Sequence, residues 1–140
     1  MKLKSFVVVE QDDRYLLICE KSKKHKGKWY FPGGLVGKKE IPQEAVMRET
    51  EEESGLTIGM TGIIYMAYHN TLLQPELDIF YCGRPTGGTL KTGKNEHSLG
   101  AAWYTFEDLA LLPLRGNALE VIRAYRDFRA ELPLHHFSVG

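Results

Sequence analysis

A chain of 140 residues, 43% of them hydrophobic, is long enough to bury a core of ordinary size and carries no apolar run that reads as a membrane span. Its 18 basic and 18 acidic side chains give zero formal net charge, which excludes a global field directed at nucleic acid or at an anionic membrane. No secretory leader, repeat or low-complexity linker is read, so the expectation is one domain over residues 1–140 in the cytoplasm.

Ser5 to Val9 and Tyr15 to Cys19 are apolar runs split by Gln11-Asp12-Asp13, the pattern of two strands joined as a hairpin. Cys19, and Cys82 further on, each sit inside an apolar run and read as reduced core residues, not as a disulfide or a metal pair. Lys21, Lys23, Lys24, Lys26 and Lys28, with His25 among them, crowd the loop that follows. A solvated surface is the ordinary use of such a run. The chain then passes through Trp29-Tyr30-Phe31-Pro32-Gly33-Gly34.

A helix is predicted from Pro42 to Ser54. Pro42 suits the first turn, where no amide donor is needed, and Gly55 suits the left-handed residue that closes a helix. Ile41 stands where a capping oxygen would be expected, and Glu44 and Arg48, four apart, are expected to pair on the flank. Glu49, Glu52 and Glu53 fall at i, i+3 and i+4 and so project from one face. Two carboxylates near 4 Å repel by roughly 4 kcal/mol at an effective dielectric of about 20. Such a trio needs solvent or a counter-charge. A solvated helix face is the plain reading of a glutamate run, but Ala45 and Val46 lie on the same stripe, which places the carboxylates where a helix should face inward. A competing, shorter stripe runs through Val46, Met47 and Thr50. All-oxygen ligands without cysteine or paired histidines suit a hard divalent ion, Mg²⁺ first and Mn²⁺ second.

Gly34 to Leu56 resembles the signature box of the Nudix hydrolases, GX5EX7REUXEEXGU with U a bulky aliphatic: Gly34, Glu40, Arg48, Glu49, Glu52, Glu53, Gly55 and Leu56 match. Thr50 departs from the pattern, standing where an aliphatic residue is expected. The resemblance implies an α+β fold, a Nudix-type α/β/α sandwich with a mixed central sheet. It implies a Mg²⁺-dependent pyrophosphohydrolase in which Glu49, Glu52 and Glu53, with the Gly33 carbonyl, bind metal. Arg48 would orient Glu49, one glutamate such as Glu52 could instead activate water, and Glu40 would be structural or a water-mediated contact, not a direct ligand. Lys26 or Lys28 could then reach a substrate phosphate, and Tyr30, Phe31, Tyr68, Phe80 and Trp103 are aromatics that could stack on a base, although core packing is their commoner use. The partner implied is a small nucleotide, with no membrane and no nucleic acid, and a homodimer is compatible with the reading.

Beyond the box, Ile63 to Tyr68 and Leu77 to Cys82 are strand candidates, and Pro85-Thr86-Gly87-Gly88 is expected to break the chain. In related hydrolases a loop before the tryptophan strand often supplies a second acid or base. Here it is Lys94-Asn95-Glu96-His97 before Trp103, and Glu96 and His97 compete for the role. Arg84 to Thr92, with Ala101-Ala102-Trp103-Tyr104, is similar to the branch that removes phosphate from oxidised guanine nucleoside diphosphates. Ala101 to Tyr104 reads as a short strand, and Asn117 opens a last helix whose Leu119, Val121, Ile122, Tyr125 and Phe128 recur at core spacing. His135 and His136 follow Pro133 in a tail expected to fray.

Overall fold

Two aspartates turn the chain over at its first hairpin. Asp12 and Asp13 both take positive φ, 52° and 59°, the paired left-handed conformations of a two-residue turn that suits twisted strands. The turn sets Gln11 opposite Arg14 and joins β1 (Lys2–Gln11) to β2 (Arg14–Cys19). The computed structural model describes residues 1–131; His135 and His136 lie outside them.

The remaining elements are β3 (Trp29–Tyr30), β4 (Gly33–Leu35), α1 (Pro42–Ser54), β5 (Leu56–Asn70), β6 (Pro75–Gly88), β7 (Gly100–Thr105), a 3₁₀ turn at Glu107–Leu111, and α2 (Ala118–Glu131). β1 runs parallel to β6 and antiparallel to β4, while β2 pairs antiparallel with β3 and β7. β5 closes the far edge against β6. The sheet is therefore mixed, and its central strand carries a continuous buried run, Phe6-Val7-Val8-Val9, as a strand covered on both faces requires.

Alternate residues of that run serve two cores. Val7 and Val9 pack with Leu16, Ile58 and Tyr81 beneath Val46 of α1. Phe6 and Val8 pack with Leu17, Phe80 and Cys82 beneath Val121, Ile122 and Tyr125 of α2. Helix, sheet and helix form the expected α+β sandwich. α2 is also tied to the sheet through Glu10, buried at the end of β1, which accepts a hydrogen bond from the Tyr125 hydroxyl (2.7 Å) and pairs with Arg129. Both cysteines are free thiols.

Two expectations are corrected. Pro85 to Gly88 does not break the chain but continues β6. β1 ceases to pair with β6 at Gly83, so from Arg84 onward β6 has an open side where a missing N–H is tolerated, and a bulge at Thr57/Ile58 absorbs the irregularity. Phe128, read as core, is 40% exposed on the part of α2 that runs past Tyr125.

Candidate metal centre and adjoining cleft

α1 begins and ends where the sequence places it, with Gly55 in the left-handed conformation at φ 82°. Its fully buried residues are Ala45, Val46, Thr50 and Ser54, so the inward stripe passes through Thr50, leaves Met47 exposed, and puts Glu49 and Glu53 at its border. The Thr50 hydroxyl donates to the Val46 carbonyl and the Ser54 hydroxyl to the Thr50 carbonyl, each at 2.6 Å. A threonine is tolerated at an aliphatic position because its polar atom is satisfied within the helix. Glu44 does not pair with Arg48, contrary to expectation: its carboxylate accepts the Ile41 N–H at 3.1 Å, serving the helix N-terminus that Ile41 cannot cap.

The other end of α1 is held by the chain that crosses beneath it. The last carbonyls of a helix have no partner within it, yet here each finds one. Gly55 N–H donates to Glu51 (2.8 Å), the Lys91 ammonium to Glu52 (3.4 Å), the Ser98 hydroxyl to Glu53 (3.0 Å), Lys91 N–H to Ser54 (2.8 Å) and Thr89 N–H to Gly55 (3.2 Å).

Arg48 organises the acidic face. Its guanidinium donates twice to Glu40, Nε to Oε2 at 2.7 Å and Nη2 to Oε1 at 3.0 Å, while Nη1 lies 3.1 Å from Glu52 and 3.3 Å from Glu49. That fork, with the Gly37 N–H, holds the Glu40 carboxyl well below the usual range. Glu40 is thus engaged by Arg48 and the backbone. Glu53 turns the other way and accepts the Gly33 N–H at 2.9 Å. Burial pushes its carboxyl well above the ordinary value, with Glu49 and Glu52 adding repulsion, and burial raises Glu49 as well against the pull of Arg48.

Gly33 has φ 141°, and a Cβ there would fall against the Ser5 carbonyl and within 2.8 Å of the Phe6 ring. A Cβ on Gly34 would approach the Glu49 carboxylate to 3.2 Å. Gly34 therefore leaves the space in which Glu49 stands, while Gly33 lets β4 lie close against β1 and offers its N–H to Glu53. Desolvated, mutually repelling oxygen donors of this kind are the chemistry a hard divalent cation takes, but the three carboxylates do not converge: among the described residues the side chains whose ligand atoms gather within 4.8 Å are His69, Glu76 and Asp78.

The loop before β7 delivers His97 to this face. Asn95 Oδ1 accepts the N–H groups of His97 (2.8 Å) and Ser98 (3.0 Å), Lys21 pins the carbonyls of Asn95 and Glu96, and His97 Nδ1 stands 3.5 Å from Glu52 Oε2. Glu96 is exposed and contributes a carbonyl to Lys21, not a carboxylate to the site. Of the two candidates it is His97 that the structure brings to the box.

A cleft of about 970 Å³ opens beside Gly33 and Gly34, on the sheet face opposite α1. Lys2 and Lys4 of β1, Glu76 and Asp78 of β6, His69 of β5, Glu20, Lys24, His25 and Arg115 line it. Lys26 and Lys28 are exposed and do not line it; Lys24 and His25 do. Tyr30 contributes to its wall but is 3% exposed, with its hydroxyl donated to Asn117 (2.6 Å) and Arg115 over its ring at 4.4 Å. Phe31 is packed in the core against Tyr30 and Phe80, so neither aromatic offers a free face. Arg84 to Thr92 and Trp103 lie away from the cleft; Trp103 packs on the α1 side. The charged wall residues of β1 and β6 escaped the sequence reading, although one signal existed: Lys2 and Lys4 are in phase with buried Phe6 and Val8, and Glu76 and Asp78 with buried Phe80, so charged side chains extend an inward-facing row.

The family model described as the NUDIX domain matches residues 2–125. The chain is 35% identical over 140 aligned positions to the 8-oxo-dGDP phosphatase NUDT18 of Homo sapiens, covering 91% of this chain and 40% of that protein. It is 34% identical over 89 positions to the ADP-ribose pyrophosphatase of Methanocaldococcus jannaschii, covering 61% of this chain and 52% of that one. It thus spans well under two thirds of the length of these relatives. Among solved structures, a NUDIX hydrolase from Nitrosomonas europaea superposes with a TM-score of 0.81 at 21% identity, covering 96% of this chain and 93% of that one, a likeness of fold. Among the described residues no helix is long and apolar enough to cross a membrane.

Proposed function

The chain belongs to the Nudix hydrolase family, and on that premise we propose that it is a Mg²⁺-dependent pyrophosphohydrolase of nucleoside di- or triphosphates, with an 8-oxo-guanine nucleoside diphosphate as its substrate. Mn²⁺ would serve in place of Mg²⁺. The observation that carries the reading is the place of Gly33, whose N–H is accepted by Glu53 of α1 and which also lines a nucleotide-sized cleft on the opposite face of the sheet. Support for the substrate comes from the relative named as an 8-oxo-dGDP phosphatase. The two free thiols favour a reducing, cytoplasmic setting.

In this reading Glu49, Glu52 and Glu53, with the Gly33 carbonyl, would hold the cation once their side chains turn toward it. When bound, the cation neutralises phosphate oxygens and lowers the pKa of a bound water. The one proton that the water attacking phosphorus gives up goes to Glu52 and is passed on to His97, 3.5 Å away. The new P–O bond forms as the anhydride P–O bond breaks, giving a nucleoside monophosphate and inorganic phosphate. Lys2 and Lys24, which line the cleft, draw the polyphosphate in.

The test is to incubate the protein with Mg²⁺ and a nucleotide panel and to resolve the products by chromatography. Turnover should vanish in EDTA. The 8-oxo-guanine diphosphate should be cleaved with a higher kcat/KM than its unoxidised counterpart, because a site built to hydrogen-bond one base leaves its polar groups unpaired against another. Equal efficiency on both, or a clear preference for a sugar-linked diphosphate, would overturn the substrate assignment and leave the Mg²⁺ chemistry standing. Binding without turnover of any nucleotide would make the protein a sensor instead.

Arg48 is expected to act by positioning Glu49 and Glu52, since its fork is committed to Glu40. Arg48→Lys keeps the charge and loses the planar geometry, so kcat should fall more than KM rises. A change in KM alone would make Arg48 a substrate contact.

A further inference from the structure

Two carboxylate oxygens in the cleft are buried and accept no hydrogen bond: Asp78 Oδ1 and Glu20 Oε2. The Asp78 side chain is 7% exposed. It sits mid-strand in β6 with Lys4 and Ala67 as its cross-strand neighbours, and its other oxygen lies 3.2 Å from His69 Nε2. Glu20 follows β2, and its Oε1 accepts from Arg115 at 2.8 Å. Burial raises both carboxyls above their ordinary values, and an incoming N–H donor is what would favour their charged forms. Buried acceptors are normally paired. Two orphaned oxygens on residues that line one cleft, each within a side-chain rotation of it, ask for a ligand that brings donors.

The surroundings narrow that ligand. His69, Glu76 and Asp78 place ligand atoms within 4.8 Å of one another, yet the Lys4 ammonium already stands 3.4 Å from Glu76 and supplies the positive charge a cation would bring. Leu72 and Leu73, in the turn joining β5 to β6, line the same cleft with their side chains essentially fully exposed. Exposed apolar side chains beside orphaned acceptors suit a flat heterocycle with N–H groups at its edges.

Building on the function proposed above, we infer that this cleft reads the nucleobase, with Asp78 and Glu20 as acceptors for a purine that carries N–H donors on both of its edges. Adenine turns ring-nitrogen acceptors toward any carboxylate at those positions. Guanine offers adjacent donors, N1–H and the 2-amino group, on one edge and an acceptor, N7, on the other. Oxidation at C8 converts N7 into an N–H donor, so 8-oxo-guanine alone of the three has donors on both sides. Asp78, with Glu76 beside it on β6, matches the adjacent pair. Glu20, a single acceptor held by Arg115, matches N7–H.

The inference is tested by ratios of kcat/KM, in which the folded fraction of each variant cancels. Glu20→Gln can keep an amide oxygen toward Arg115 and present an N–H where the orphan oxygen stood, which suits N7 of the unoxidised base. The preference for the 8-oxo-guanine over the guanine diphosphate should therefore fall at least about tenfold. Asp78→Ala should erase the penalty, about tenfold in the parent protein, for replacing guanine by hypoxanthine, which lacks the 2-amino group. Unchanged ratios in both variants would overturn the inference while leaving the hydrolase reading intact. If no diphosphate is hydrolysed, the same ratios are read as dissociation constants of the corresponding monophosphates by calorimetry, and the same outcomes decide.

Discussion

Glu53→Gln should lower kcat at saturating Mg²⁺ by about a hundredfold or more, equivalent to roughly 3 kcal/mol of barrier. The amide can still accept the Gly33 N–H that Glu53 accepts at 2.9 Å, so the fold is preserved and the loss is of charge toward the cation. A stability measurement separates this from misfolding. Burial raises the Glu53 carboxyl well above its ordinary value. The metal-free folded protein therefore holds a proton there that the unfolded chain has already released. It should lose stability as pH rises from the ordinary carboxyl range toward that raised value. Glu53→Gln should remove this pH dependence and also weaken the rise in Tm that Mg²⁺ gives the parent. Retained turnover, or an unaltered Mg²⁺ response, would exclude Glu53 as a ligand.

Gly33→Ala should be the most damaging substitution to the fold near the site. At φ 141° the added Cβ strikes the Ser5 carbonyl and the Phe6 backbone and ring, and these belong to β1, the central strand that β4 pairs with. Neither can yield without parting the two strands. A loss of about 3 kcal/mol or more is expected, which for a domain of this size is a Tm lower by on the order of 10 °C. Gly34→Ala is the control. Its Cβ would meet the movable carboxylate of Glu49 at 3.2 Å, so stability should change little while Mg²⁺ binding weakens. Thermal melts and calorimetric titration of the pair check this, and equal Tm losses would refute the distinction.

Features set by neighbours along the chain were readable in the sequence. The limits of α1, the Asp12-Asp13 turn and the free cysteines need only local spacing and chemistry. The missing parts were set by competition or by distant pairing. Glu44 looked like a partner for Arg48, but the Ile41 N–H claims it and Glu40 claims the guanidinium. Pro85 read as a break because composition cannot reveal that β1 stops pairing with β6 two residues earlier. Tyr30 and Phe31 looked available for stacking, yet the sheet packs both into its interior. The wall of the cleft was hidden most deeply. Lys4, His69 and Asp78 meet only because β6 lies between β1 and β5.

In most helices the closing turn loosens first, opening and reclosing faster than the middle. In α1 that turn carries Glu52 and Glu53, and Lys91 and Ser98 fasten its carbonyls to the chain beneath, with Thr89 holding the capping Gly55. Its amides should therefore exchange with solvent hydrogen as slowly as those of the middle turn, where an unanchored helix end would exchange faster. A cation arriving from solution would then find the turn that carries its ligands already formed, and its capture would be timed by diffusion, shedding of water and the swing of the carboxylate side chains toward it, with no wait for the helix to assemble.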